Sequence, residues 1–235
     1  MKEDINSGME YFGKEKSVIY DDMIRCAIPG YEAMHDMARH MLCVKMDQGT
    51  GLLIVGAGTG REALAFAKET DWPITAVDPS EAMLAVASDK LKKENLEKRV
   101  TFHRGYVEDL APEEAFGGAT SILVMHFIPD DGSKESYLKE IGKRIKKGGR
   151  LILVDVGGEK NSRGYKEGLD VWKNYQKEHR PDPENVDKDF GSIHNEVHPV
   201  TEDRTFELLN GAGFGDIERF YQAWLLKGYA ATKLW

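Results

Sequence analysis

The tightest constraint on how this chain folds is a run of 13 residues, Leu52-Leu53-Ile54-Val55-Gly56-Ala57-Gly58-Thr59-Gly60-Arg61-Glu62-Ala63-Leu64. Four apolar residues without a polar interruption predict a strand covered on both faces, and the glycine-rich turn after them leads into a helix. Lacking a Cβ, Gly56 and Gly58 permit a tight turn and let backbone approach a bound molecule closely. The free N–H groups at the start of the following helix then face an anionic group.

A second element strengthens this reading. Ile74-Thr75-Ala76-Val77-Asp78 is a strand that ends in a carboxylate 20 residues after Gly58. An acid at the tip of the second strand is placed to accept hydrogen bonds from the two ribose hydroxyls of an adenosine. The same Asp, standing before Pro79-Ser80, also suits an N-cap. A dinucleotide-binding turn wants Gly or Ala at the third position of its fingerprint for close helix packing, and here that position is Arg61.

From about residue 50 short apolar runs alternate with longer amphipathic stretches, which predicts an α/β fold of the doubly wound, Rossmann-like kind. Strands are expected at Leu52–Val55, Ile74–Val77, Val100–Phe102, Ser121–Met125 and Leu151–Val154. Helices are expected near Glu62–Glu69, Ser80–Asn95 and Lys134–Lys146, the last closed by a glycine cap at Gly148-Gly149. Asp216–Gln222 and Tyr229–Lys233 alternate apolar and polar residues and predict an antiparallel C-terminal hairpin, for a mostly parallel seven-stranded sheet with helices on both faces. Residues 1–48 read as an N-terminal helical cap on the domain formed by residues 49–235. Residues 157–200 read as an insertion, helical around Leu169–Glu178 and broken at Pro181-Asp182-Pro183, that either lines the substrate pocket or is extra packing and loop.

Composition narrows the partners. A formal net charge of −8 opposes a nonspecific grip on a phosphate backbone, so a small molecule is the expected substrate and direct nucleic-acid binding is not. The longest apolar runs fall far short of the roughly 20 residues of a spanning helix, and no signal peptide is visible; the expectation is a cytoplasmic protein with no membrane partner. Cys26 and Cys43 show no metal-type spacing, so neither a zinc site nor a disulfide framework is expected.

In combination these residues resemble the class I S-adenosylmethionine-dependent methyltransferases. The resemblance rests on Val55–Gly60, Val77–Leu84, Gly105–Leu110, Leu138–Val154 and Leu208–Phe214, and covers roughly residues 50–233. It implies S-adenosyl-L-methionine as cofactor. Gly56, Ala57 and Gly58 then line its methionine half, Asp78 holds the ribose, Pro79 and Met83 lie beside the adenine, and Met125 and His126 sit near the transferable methyl. Tyr106 stands where the family often has an acid, so the adenine contact falls to the Val107 backbone with Glu108 or Asp109.

Tyr20–Tyr31 resembles, more narrowly, the N-terminal helix of the carboxy-S-adenosylmethionine synthases of tRNA uridine modification, which implies a cofactor contact for Tyr31; a core aromatic is the equal reading. Those synthases need an arginine shortly before the closing hairpin, and Asp189–Glu196 has none.

Methyl transfer from a sulfonium is an in-line displacement whose neutral leaving group asks little covalent help of a protein. Where the nucleophile carries a proton, His126, just past the fourth strand, is the candidate base; a histidine bonded to cofactor or loop is the alternative. His179, His194 and His198 lie in or beside the insertion, and Pro199 argues against a regular helix there. Tyr165, Trp172, Tyr175, Tyr221 and Trp224 are either pocket wall or plain core. Arg61 either pairs with the cofactor carboxylate or lies exposed. The expected function is methyl transfer to a small molecule, against a carboxy-S-adenosylmethionine synthase or a non-catalytic cofactor-binding protein.

Overall fold

A computed structural model describes residues 14–47, 49–113 and 116–235, with backbone alone for 14–19 and 192–195. Two helices, α1 (Lys14–Ala27) and α2 (Tyr31–Cys43), precede β1 (Gly51–Val55), α3 (Arg61–Glu69), β2 (Ile74–Asp78), α4 (Glu81–Lys93), β3 (Val100–Arg104) and β4 (Phe116–Ile122). Then follow α5 (Ser133–Gly142), β5 (Ile145–Val156), α6 (Arg163–His179), α7 (Val186–Glu196), α8 (Glu202–Gly211), β6 (Phe214–Ala223) and β7 (Leu226–Lys233). The seven strands form one sheet in the order β3-β2-β1-β4-β5-β7-β6. The first five pair in parallel, and β7 pairs antiparallel with both β5 and β6. Among the described residues no helix is long and apolar enough to cross a membrane.

The period of two along each strand assigns its residues to opposite layers. In β1, Leu52 and Ile54 point into a layer with Ile152, Val154, Phe66 of α3 and Leu42 of α2. Leu53 and Val55 point into the other, with Leu138 and Ile141 of α5 and Leu208 and Leu209 of α8. Leu52, Leu53 and Ile54 are all fully buried, each stabilising by roughly 1.5–3 kcal/mol. A strand buried on both faces has no polar residue to spare, which is why the run is continuously apolar.

Three expectations need correction. The fourth strand starts earlier than Ser121–Met125, at Phe116. Its opening Gly117-Gly118 carries no strand-favouring side chain because neighbours press on both positions: a Cβ on Gly118 would lie 2.7 Å from the Met46 sulfur and 3.1 Å from a backbone oxygen. The strand stops at Ile122 because Leu123 turns into the left-handed region (φ 61°), and Met125–Phe127 form a 3-10 turn. Second, α5 ends at Gly142, not Lys146, and Gly148-Gly149 lies inside β5. Ile145 pairs with Phe116 and Arg150 with Gly118, so the residues between are looped out as a bulge, with Gly148 at φ 81°. Third, the insertion carries two helices. Ser162 caps α6 by accepting from the Tyr165 amide at 3.1 Å, and α7 continues to Glu196 through the polar segment where no regular helix is expected. Arg180, bonded to both Asp182 and Asp189 at 2.8 Å, ties the turn between the helices to α7.

The layer that α2 and α3 cover encloses two titratable groups. Burial pushes the His35 pKa down to about 3 and the Glu62 pKa up to about 7. Neither His35 Nε2 nor Glu62 Oε1 has a hydrogen-bond partner among the described residues. Between the ordinary carboxyl value of 4.5 and about 7 the folded chain holds a proton on Glu62 that the unfolded chain has released, so this group's contribution to stability falls as pH rises. His35 runs the other way below 6.5, because the unfolded chain binds its proton first. Glu62→Gln removes only the falling component. Relative to wild type, its unfolding free energy rises by about 3 kcal/mol from pH 4.5 to 7 in urea titrations; parallel curves for the two proteins would rule this out.

Candidate functional site

The carboxyl ends of β1, β2 and β4 open onto a cavity of about 190 Å³. Its wall takes Gly56 and Gly58 from the turn after β1, Asp78, Pro79, Ser80 and Met83 from the entry of α4, and Tyr106, Val107 and Glu108 from the 3-10 turn after β3. Leu123, Val124, Phe127 and Tyr137 line it too, together with Tyr20 of α1.

Asp78 organises this wall. Its Oδ2 accepts from the Gly58 amide at 2.8 Å and its Oδ1 from the Ser80 amide at 2.8 Å. Burial pushes its carboxyl above the usual carboxylate range, and the two amides act in the opposite direction. The helix cap is Ser80, whose hydroxyl accepts from the Met83 amide at 3.3 Å, so the N-cap reading of Asp78 does not hold. Gly58 has φ +51° and a Cβ built there meets no atom within 4 Å, whereas at Gly60 (φ +79°) it would lie 2.6 Å from the Ala87 Cβ. Gly60 therefore packs α3 on α4, while Gly58 leaves open space beside Asp78.

Of the residues the sequence singles out, Gly56, Gly58, Asp78, Pro79, Met83, Tyr106 and Val107 come together on this one wall. Glu108 lines it too, while Asp109 turns away to accept from the Tyr106 amide at 2.8 Å. Three do not join them. Ala57 is buried in the core behind the turn. Met125 is buried in the opposite layer, and its carbonyl accepts from the buried Lys134 ammonium at 2.6 Å. Tyr31 is a core aromatic, edge-on to His35 with ring centroids 4.5 Å apart. Arg61 pairs with Glu32 and so ties α3 to α2.

His126 faces a second, smaller cavity of about 120 Å³. Here α1 (Met23, Ile24, Ala27), α6 (Tyr165, Leu169, Trp172, Gln176) and α7 (Asp189, Phe190, Glu196) meet. Tyr20, Leu123 and Phe127 line both cavities and mark where they adjoin. His126 is buried, and its Nδ1 donates to Asp155 Oδ1, which also accepts from the Val156 amide at 2.9 Å. That bond fixes the ring and leaves Nε2 as the nitrogen with a lone pair. Burial pulls the Lys134 pKa down, opposed by Asp155 and Asp130. The His126 carbonyl accepts from the His198 amide at 2.6 Å, and burial lowers the His198 pKa.

Asp155, Lys134, Tyr20, Leu123 and Phe127 escaped the sequence reading. For Asp155 a signal exists, since it is the acid that directly follows the apolar run Leu151–Val154. Of the aromatics, Tyr165 and Trp172 line the second cavity. Tyr221 also belongs to the core and donates to the Pro29 carbonyl at 2.6 Å. Tyr175 packs between His179 and Trp224. The side chain of His194 lies outside the described residues.

Residues 52–149 match the family model of a methyltransferase domain. The chain is 30% identical over 114 residues to methyltransferase GfsG of Streptomyces halstedii, a match spanning 46% of this chain and 38% of that protein. It is 22% identical over 210 residues to the carboxy-S-adenosyl-L-methionine synthase of Nautilia profundicola, spanning 88% of this chain and 87% of that protein. Among solved structures, the 1,6-didemethyltoxoflavin-N1-methyltransferase of Burkholderia thailandensis, crystallised with its substrate and S-adenosylhomocysteine, shares the fold. There the TM-score is 0.61 at 21% identity over 86% of this chain and 79% of that one.

Gly58→Ala separates fold from binding. The added methyl meets no protein atom, so the variant loses only about 1 kcal/mol of stability from the left-handed backbone. Its affinity for S-adenosylhomocysteine, read by calorimetric titration, falls at least about tenfold, which is roughly 1.4 kcal/mol. Unaltered affinity would place the ligand elsewhere.

Proposed function

We propose that this chain, whose residues 52–149 match a methyltransferase-domain model, is a class I S-adenosylmethionine-dependent methyltransferase that transfers a methyl group to a small, uncharged acceptor held in the second cavity, with His126 as general base. The observation that carries this reading is the pair of adjoining cavities, one built around Asp78 and the glycine turn and the other around the His126–Asp155 pair.

The cofactor, when bound, supplies an electrophilic methyl group. Asp78 would accept hydrogen bonds from the ribose hydroxyls, with Met83, Pro79 and Val107 of the same wall holding the adenine. Tyr20, Leu123 and Phe127 position the acceptor against the first cavity and keep water from the point of transfer. His126 Nε2 takes the proton from the attacking atom, and Asp155 stabilises the imidazolium so formed. Lys134 acts through the Met125 carbonyl, holding the turn that presents His126.

Several features support a neutral acceptor. The second cavity is walled mostly by aliphatic and aromatic side chains, and its one arginine, Arg180, is already matched by Asp182 and Asp189. The same observation weighs on the rival reading. Likeness to a carboxy-S-adenosyl-L-methionine synthase extends over most of the chain, yet an arginine with two carboxylate partners has no charge to offer an additional carboxyl group.

The test is mass spectrometry of reactions containing S-adenosylmethionine and a panel of uncharged hydroxy- and aminoarenes. Release of S-adenosylhomocysteine together with an acceptor 14 Da heavier is the expected outcome; a cofactor that itself gains mass identifies the synthase, and bound but unconsumed cofactor a binding protein. For any acceptor so found, His126→Gln lowers kcat by about 10²–10⁴-fold and leaves S-adenosylhomocysteine affinity unchanged. Asp155→Asn lowers kcat in the same direction. A His126→Gln enzyme with wild-type kcat would remove the base from the mechanism.

A further inference from the structure

Trp172, which lines the second cavity, and Tyr221 and Tyr137, which do not, each have a hydrogen-bond partner. Trp172 Nε1 donates to the Ala27 carbonyl at 2.7 Å and Tyr221 Oη to the Pro29 carbonyl at 2.6 Å. Across the sheet, Tyr137 Oη meets Ser121 Oγ at 2.8 Å. Tyr165 is only 2% exposed and lines the cavity, yet its hydroxyl is buried with no hydrogen-bond partner among the described residues. The start of α6 fixes its place, through the bond between its amide and Ser162 and through Gly158, where a Cβ would lie 2.8 Å from the Tyr165 ring.

An unpaired buried hydroxyl forfeits its hydration without compensation, and folds rarely keep one without use for it. The cavity narrows what satisfies it. Its carboxylates, Asp189 and Glu196, disfavour an anion, and Arg180 has no spare charge to offset one. Resting on the transferase reading above, we infer that the Tyr165 hydroxyl donates a hydrogen bond to a neutral carbonyl-type oxygen of the methyl acceptor. The acceptor is then a flat, uncharged molecule with two polar features: a weakly acidic hydroxyl that gives its proton to His126, and a carbonyl oxygen read by Tyr165. Burial pushes the phenol up to about 12, so it stays protonated and acts as the donor. Tyr165 is thus a specificity-determining residue, separate from the base.

Two fluorescent bicyclic probes of matched shape test this on the full chain saturated with S-adenosylhomocysteine. Both carry a weakly acidic hydroxyl, but 7-hydroxycoumarin has a lactone carbonyl and 2-naphthol has none. Wild type binds 7-hydroxycoumarin at least about tenfold more tightly. Tyr165→Phe, which deletes only the oxygen, erases that preference, leaves 2-naphthol and S-adenosylhomocysteine affinities unchanged, and keeps or raises Tm because an unsatisfied buried group is removed. Equal affinities in wild type, or no binding of either probe, overturn the inference while the transferase reading stands. So does a Tyr165→Phe protein that keeps the preference and melts several degrees lower, since the hydroxyl then serves the fold through an internal water. Failure of wild type to bind S-adenosylhomocysteine overturns both.

Discussion

A carboxylate taken out of water is stable only where donors meet it, and Asp78 finds two in backbone amides that the chain brings from different elements. The Gly58 amide belongs to the turn after β1 and the Ser80 amide to the entry of α4. One charge therefore holds the glycine turn against the end of β2, and the same carboxylate stands in the wall of the first cavity. Gly60, packed on Ala87, adds the second fastening by drawing α3 onto α4. Loss of either contact frees the turn, and with it the wall on which the remaining residues of the first cavity depend.

The second cavity follows a different logic. The turn after β4 supplies Leu123 and His126, but the cavity walls are mostly helices added before and after the sheet. The chain uses charge there sparingly, with Arg180 matched by two aspartates and His126 by Asp155. Polar groups that remain available, such as the His126 Nε2 and the Tyr165 hydroxyl, then carry chemical meaning because so little surrounds them that competes.

How much of this is legible in the sequence depends on how local the physics is. The wall from Gly56 to Val107 can be read because each residue follows a strand end, and strands buried on two faces announce themselves as apolar runs. β4 is misjudged because its first residues are glycines admitted by close packing, a property of neighbours such as Met46 rather than of the segment. Gly148-Gly149 looks like a helix stop because a bulge and a cap call for the same residue. The Asp155–His126 pair, separated by 29 residues, leaves no periodic trace. Meeting points of α1, α6 and α7 are set by tertiary packing, which one-dimensional patterning does not encode.

Leu123 takes a left-handed backbone conformation at the place where the two cavities adjoin. For a side chain with a Cβ that conformation costs about 1–2 kcal/mol, and glycine adopts it freely. Exchange of this leucine for glycine would relieve that conformation, but it would also forfeit the packing of a side chain that lies against the core and delete the side chain that lines both chambers. Core packing and compartmentation thus act together at this single residue, and the strained backbone persists because one side chain serves both.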